Sequence, residues 1–416
     1  MTRRRRSVPS RLAGAAPHHV YLVPGFFGFA NLGDLAYFGH VRDALAAALA
    51  ARGLAGEIHV VRTLPTASLR RRAVRLAETV AGTAGEAGPI HLIGHSSGGL
   101  DARLFAAPGV ALGTDLPVER LAARVASLVT VATPHHGTPV ASFFASLLGQ
   151  RVLRLLSLAT MQLLRSGRMP LAVLFRLGNA FAHVDRLTGR RVALLDQVMT
   201  QLLGDFSAPR RRAVDRLFRE MGEDQSLLVQ LAPESMDLLN AVVHDRPGVR
   251  IGSVVTAARR PSVGTAMAAG LDPSSHATHA IYVALAGVAA AGPRGWSPPA
   301  TAEQAAVLRR AYGAMPPPQA NDGVVPTRAQ VWGRVIRAVR ADHLDVIGHF
   351  RGPHRDPPHY DWLATGSGFD AAAFAALWTA VADFAFGAAD SASPAFPAIR
   401  PGDLAAAAGR GRRMRE

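Results

Sequence analysis

The chain has 416 residues, 49% of them hydrophobic, and a formal charge of +16; its basic residues are all arginine. It contains no cysteine, which excludes disulfides, thiol catalysis and cysteine-ligated metal, and which fits a reducing compartment. The excess charge gathers in "TRRRRS", "PRRRAV" and "GRGRRMRE", none interleaved with aromatic residues, so a base-stacking platform and specific nucleic-acid binding are not expected.

In chain order, residues 1–16 read as a basic tail without the apolar run of a secretory signal. The expected location is therefore cytoplasmic, with the paired arginines at the start leaving export open. "HHVYLVPGFFGF" opens with a buried strand that stops at Pro24-Gly25. A helix over "YFGHVRDALAAALAARG", a strand in "EIHVVRTL" and a helix capped by Ser68 follow. "PIHLIG" is a third strand, "SGGLDARLFAAPG" a helix, and "RVASLVTVATP" a fourth strand. Apolar strands alternating with helices predict an α/β fold, a mostly parallel sheet with helices on both faces.

After residue 139 only helical patterns appear, up to residue 248. The most apolar part, Ala141–Leu177, is broken by five arginines and is no membrane span. Strand character returns in "VRIGSVVTAA", and a last helix spans "FDAAAFAALWTAVADFAFG". The expected organisation is an α/β core over 17–139 and 249–388, a helical lid or cap insertion over 140–248, and tails at 1–16 and 389–416.

The chemistry is concentrated in "GPIHLIGHSSGGLDARL". Gly94-His95-Ser96-Ser97-Gly98 fits G-x-S-x-G between a strand and a helix. On such a turn the serine backbone is strained, and side chains two residues away on either side would clash. The hydroxyl is then aimed over the start of a helix, where the dipole and unbonded N–H groups favour an oxyanion. A nucleophilic serine needs an acid and a base, in the chain order Ser, Asp, His. His135 and His136 precede any suitable acid. Asp322 in "NDGVVP", predicted to follow a strand end, and His343 in "RADHLDV" form the best pair, with His349, His354 and His359 as competing bases. The N–H of Ser97 and that of Phe26, in the loop after the first strand, are the expected oxyanion donors.

These segments together resemble the bacterial true lipases, triacylglycerol lipases and esterases of the α/β-hydrolase fold. The likeness is carried by "LVPGFFGFANLGDLAYFGHVRDAL", "LIGHSSGGLDAR" with Arg103, "VATPHHGTPVA", "NDGVVP" and "HLD", over Val20–Ala141 and Asn321–Ile347. The resemblance implies Ser96 as nucleophile, Asp322 as acid, His343 as base, Phe26 and Ser97 as oxyanion donors, and a lid made by the insertion. It also implies a structural calcium beside the base, with Asp345 at the matching position and Asp272 as a second candidate, although no cofactor is required for the chemistry. Three departures stand out. Pro24 replaces the family's histidine, His349 replaces a glutamine calcium ligand and suits a hard cation poorly, and the signal of an exported protein is missing.

The expected function is hydrolysis of carboxylic esters with apolar acyl chains through an acyl-enzyme. An ester or lipid is the expected partner, and the Leu/Phe/Met-rich insertion would make transient contact with lipid surfaces. Acyl transfer by the same triad, and a non-enzymatic arginine-rich binder of anionic surfaces, are the alternatives.

Overall fold

The computed structural model describes residues 16–26, 37–146, 149–153, 204, 208–270, 273–292, 296, 298–352 and 361–387. Both basic tails, apart from Ala16, lie outside these residues, as do Asp272, His354, His359 and most of 147–207.

Six strands form one parallel sheet in the order β2-β1-β3-β4-β5-β6. They are β1 (His18–Val23), β2 (Gly56–Val60), β3 (Ile90–His95), β4 (Val125–Val131), β5 (Arg250–Ala257) and β6 (Arg334–Arg340). Side chains alternate across the sheet. Val20, Leu22, Ile93 and Val129 face α1 (Gly39–Ala51) and the C-terminal helix, while Tyr21, Leu92 and Leu128 face α2 (Leu69–Thr83) and α3 (Ser97–Ala106). With both faces covered, the central strands are buried nearly throughout, mostly by apolar residues, as the sequence pattern required. Ser68 caps α2 by accepting from the Arg71 N–H at 3.3 Å.

After α4 (Val118–Ala122) and β4, the described residues hold only helices until β5: α5 (Pro139–Ala145), α6 (Ala208–Glu223), α7 (Ser226–Gln230) and α8 (Pro233–Val242). Among the described residues no helix is long and apolar enough to cross a membrane.

One expectation is corrected here. Asp322 does not follow a strand directly. The chain runs from β5 through α9 (Val263–Ala269), α10 (Pro273–Ala289) and α11 (Ala302–Tyr312), then a loop, before reaching "NDGVVP". Backbone bonding nevertheless returns that loop to the end of β5, where the Ala258 N–H donates to the Asn321 carbonyl at 2.9 Å. β6 and the closing helix α12 (Ala371–Phe386) complete the core. The strand order, the serine turn after β3, the Asp322 loop between β5 and β6 and His343 just after β6 make this an α/β-hydrolase fold.

Candidate functional site

Ser96 occupies the turn from β3 into α3 with φ 56° and ψ −135°, a region that non-glycine residues rarely enter. The surroundings hold it there. Its N–H donates to the Val131 carbonyl at 2.8 Å, and its own carbonyl accepts from Gly99 at 3.1 Å. A Cβ on Gly94 would lie 2.4 Å from the Gly98 carbonyl oxygen, and one on Gly98 would lie 2.1 Å from that of Val23. The two glycines of the motif are therefore steric requirements of the turn. Gly25 is a third, since a Cβ there would come within 2.4 Å of Ser96 Cβ and 2.9 Å of its Oγ. The turn after β1 thus packs directly onto the serine. Phe26, next in that turn, is buried and stacks on Phe144 of α5 at 6.1 Å. Ser97 is the first residue of α3, where an N–H has no partner within the helix.

Asp322 and His343 are brought together. His343 Nδ1 donates to Asp322 Oδ2 at 2.9 Å, and the His343 N–H donates to the Asp322 carbonyl at 3.0 Å. The carboxylate is held independently as well. Oδ1 accepts from the Val324 and Val325 N–H groups at 3.0 and 2.7 Å, and Oδ2 from Thr256 Oγ1 and Gln330 Nε2 at 2.7 and 3.2 Å. Because Nδ1 carries the proton, the neutral ring has its lone pair on Nε2. That buried nitrogen makes no hydrogen bond, to Ser96 or to any other described group. The serine–histidine contact is therefore open, whereas the histidine–aspartate contact is closed. Trp378 of α12 steadies the following loop by donating from Nε1 to the Val346 carbonyl at 2.8 Å.

Two links tie these parts together, and neither was read from the sequence. His95 Nε2 donates to the His343 carbonyl at 2.8 Å, which leaves His95 Nδ1 to accept from the Tyr37 hydroxyl at 2.7 Å. The Gly25 N–H donates in turn to Tyr37 Oη at 3.4 Å. Burial holds the His95 pKa well below its ordinary value, with His343 adding to the effect, so the ring is neutral. The second link is Arg72, fully buried beneath the same turn. It pairs with Asp101 of α3 at 2.7 Å and donates to the Pro24 carbonyl at 2.9 Å and the Leu64 carbonyl at 2.6 Å. Burial pushes the Asp101 carboxyl up to about 6 against the pull of Arg72, so it is ionised at neutral pH.

Arg103 sits in the last turn of α3, away from the serine turn. It stacks on Trp332 at 3.6 Å and contacts His135 Nδ1 at 3.2 Å. His349, one of the competing bases, faces Tyr37 and Trp362 and has no contact with Asp322 among those described.

Asp345 is buried in the loop after His343, and its Oδ2 accepts from the Asp342 N–H at 3.0 Å and from Ser367 Oγ at 2.8 Å. Asp342 is spent in the same way, on the Leu344 and Asp345 N–H groups and Thr365 Oγ1. Burial pushes the Asp345 carboxyl up to about 6 and that of Asp342 well above its ordinary value. Both carboxylates act as acceptors within the loop, and the charge of Asp361 adds to that of Asp345 in raising Asp342.

No protein-family model matches the chain, and no curated protein matches it. Among solved structures it is similar to the metagenomic carboxyl esterase MGS0156, at 18% identity over 92% of this chain and 79% of that one, with a TM-score of 0.47. It is similar to EstA from Clostridium botulinum at 17% identity, over 86% and 88% of the two chains, with a TM-score of 0.45. For the Staphylococcus hyicus lipase the identity is 14%, over 91% and 97%, with a TM-score of 0.47.

Proposed function

We propose that the chain is a serine hydrolase of carboxylic esters. The observation that carries this reading is the His343–Asp322 bond, which leaves Nε2 as an unspent acceptor on a residue whose carbonyl is bonded to His95, the neighbour of a serine held at φ 56°.

In the proposed reaction, Ser96 Oγ attacks the ester carbonyl carbon and its proton passes to His343 Nε2. The backbone N–H groups of Phe26 and Ser97 receive the oxyanion. Collapse expels the alcohol, which takes the proton from Nε2 and leaves an acyl group on Ser96. Water then attacks the acyl-enzyme, giving a proton to the same nitrogen; the second tetrahedral intermediate collapses, Ser96 Oγ leaves with that proton, and the acid departs. Asp322 stays ionised throughout, fixing the tautomer and stabilising the imidazolium. The open Ser96–His343 contact must close when substrate is bound, as catalytic contacts in empty sites commonly do.

Apolar acyl chains are the proposed substrates. The stacked pair Phe26 and Phe144 lies against the serine turn, and α5 packs on the helices that follow it. Val229, Leu238 and Val242 on α7 and α8 are 61%, 73% and 70% exposed, an apolar face suited to a lipid surface, which supports residues 140–248 as a lid.

The test is hydrolysis of p-nitrophenyl esters from short to long acyl chains by wild type and Ser96→Ala. Turnover that vanishes in the variant, with a preference for longer chains, is the expected result. Equal rates in the two proteins would refute the assignment. A folded enzyme that releases product only when an alcohol is added would make it an acyltransferase.

A further inference from the structure

At the opposite end of the sheet from Ser96, the edge strand β2 runs parallel to β1 in a register that sets Glu57 beside His19 and His59 beside Tyr21. Alternation places His19, Glu57 and His59 on one face. Their ligand atoms, His19 Nδ1, Glu57 Oε2 and His59 Nε2, all lie within 4.8 Å of one another.

Three features separate this group from an ordinary surface ion pair. The His19 side chain is only 5% exposed. Its Nε2 lies 3.2 Å from the Ala87 carbonyl, which can only accept, so the proton is on Nε2 and the lone pair is on Nδ1. That Nδ1 is buried and has no hydrogen-bond partner, and the same holds for His59 Nε2. Both nitrogens face Glu57 Oε2, at 3.9 and 3.4 Å, longer than the roughly 2.7–2.9 Å of a charge-assisted hydrogen bond. The group therefore surrounds a gap with two orphaned nitrogens and a carboxylate.

We infer that His19, Glu57 and His59 form a binding site for a divalent transition-metal ion of the zinc type. Ligands about 2.0–2.2 Å from a tetrahedral ion stand roughly 3.3–3.6 Å from one another, and the two nitrogens stand 3.9 and 3.4 Å from Glu57 Oε2. The Ala87 carbonyl plays the part of the outer partner that orients a metal-bound imidazole. Tyr21 does the same for His59 by stacking on it at 5.1 Å, while its own hydroxyl bonds Thr83 at 2.8 Å. Glu57 is 57% exposed, so solvent reaches the fourth position. The ion would bridge β1 to β2, the exposed edge of the sheet. Carried on β1 and β2, with His19 and Glu57 near the strand starts, it would act on stability and take no part in the chemistry at Ser96.

The experiment uses the full chain, stripped with chelator and titrated with Co2+ alone and then Zn2+ alone, alongside Glu57→Gln and His59→Gln. Both substituted side chains reach solvent, and melting in chelator checks that each variant is folded. Wild type is expected to take up one equivalent of Co2+ with the intense visible absorption of a tetrahedral ion, displaced by one equivalent of Zn2+. Zn2+ should raise its Tm by a few degrees. Each variant should lose that absorption, bind at least ~100-fold more weakly and show no Zn2+-dependent rise in Tm. The inference is overturned if wild type binds no tighter than the variants, or if its bound Co2+ gives only the weak absorption of an octahedral, mostly hydrated ion.

Discussion

The imidazole of His95 donates to the main-chain carbonyl of His343 at 2.8 Å, so the residue before the serine is bonded to the residue that carries the proposed base. The same ring accepts from Tyr37, which is bonded to the turn at Gly25. Three chain segments far apart in sequence thus meet on one side chain. His95→Leu leaves the Tyr37 O–H proton and the His343 carbonyl without their present partner in the interior, at about 1–3 kcal/mol for each orphaned group. Because both the proposed oxyanion turn and the proposed base lose a support, kcat for ester hydrolysis is expected to fall roughly 10- to 100-fold with little change in KM. Steady-state kinetics and a melting curve check this, and an unchanged kcat would refute it.

Arg72 separates stability from function. Arg72→Met strands the buried Asp101 carboxylate and is expected to cost about 3–5 kcal/mol in denaturant unfolding. Arg72→Met combined with Asp101→Leu removes both charges and should recover most of that stability. Activity should stay low in the double variant, because the Pro24 carbonyl has still lost its donor. Full recovery of activity would show that the turn does not depend on Arg72.

Gly25→Ala tests the close approach of the oxyanion turn. The added Cβ would sit 2.4 Å from Ser96 Cβ, so the turn must retreat. The expected outcome is a roughly 100-fold loss of kcat in a protein that still melts cooperatively. Wild-type turnover would place the oxyanion donors elsewhere.

Asp322→Asn replaces an acceptor of five hydrogen bonds by a group that must also donate. Its NH2 would oppose the Gln330 amide, or would force the proton of His343 from Nδ1 to Nε2. A drop in kcat of the order of 10⁴ is expected, as for other triads that lose this carboxylate. A loss below tenfold would point to another acid.

His91 is a pH probe away from the site. It is buried in β3 between Ser127 Oγ at 2.8 Å and His18 Nδ1 at 2.9 Å. Burial, aided by His18, lowers its pKa to about 3. Unfolded, it returns to about 6.5. Below that pH the unfolded chain takes up a proton that the folded chain refuses. The stability tied to His91 is therefore present above pH 6.5 and is lost as pH falls toward 3. Between pH 6 and 4, the stability advantage of wild type over His91→Asn should shrink by up to about 1.4 kcal/mol per pH unit. Denaturant midpoints for both proteins across that range test this, and a constant gap would contradict it.

Much of the fold was legible because its signals are local. Apolar strands covered on both faces read as continuous runs, and the serine turn announces itself through Gly94 and Gly98. Asp322 and His343 were legible through chain order, and the structure brings them together. The strand expected before Asp322 was wrong, since "GAMPPPQA" delivers the chain from a helix through a loop. Arg72 sits among three consecutive arginines, but it shares a helical face with Leu69, Leu76 and Val80, and that phase would have marked it as buried. Thr256, Gln330 and His95 carried no such mark, because their roles arise from contacts across the sheet. The His19–Glu57–His59 group was invisible for the same reason, since it exists only through the parallel register of β1 and β2.

The carboxylate of Asp322 is fixed by two backbone N–H groups, a threonine and a glutamine, none of which belongs to the ring it serves. It behaves as a hinge pin set in the frame. In the proposed reaction the far nitrogen of the imidazole serves the serine, the departing alcohol and the incoming water in turn while the pin stays where it is. On that proposal each turnover asks for adjustment in one ring, and the site resets without rebuilding its acid.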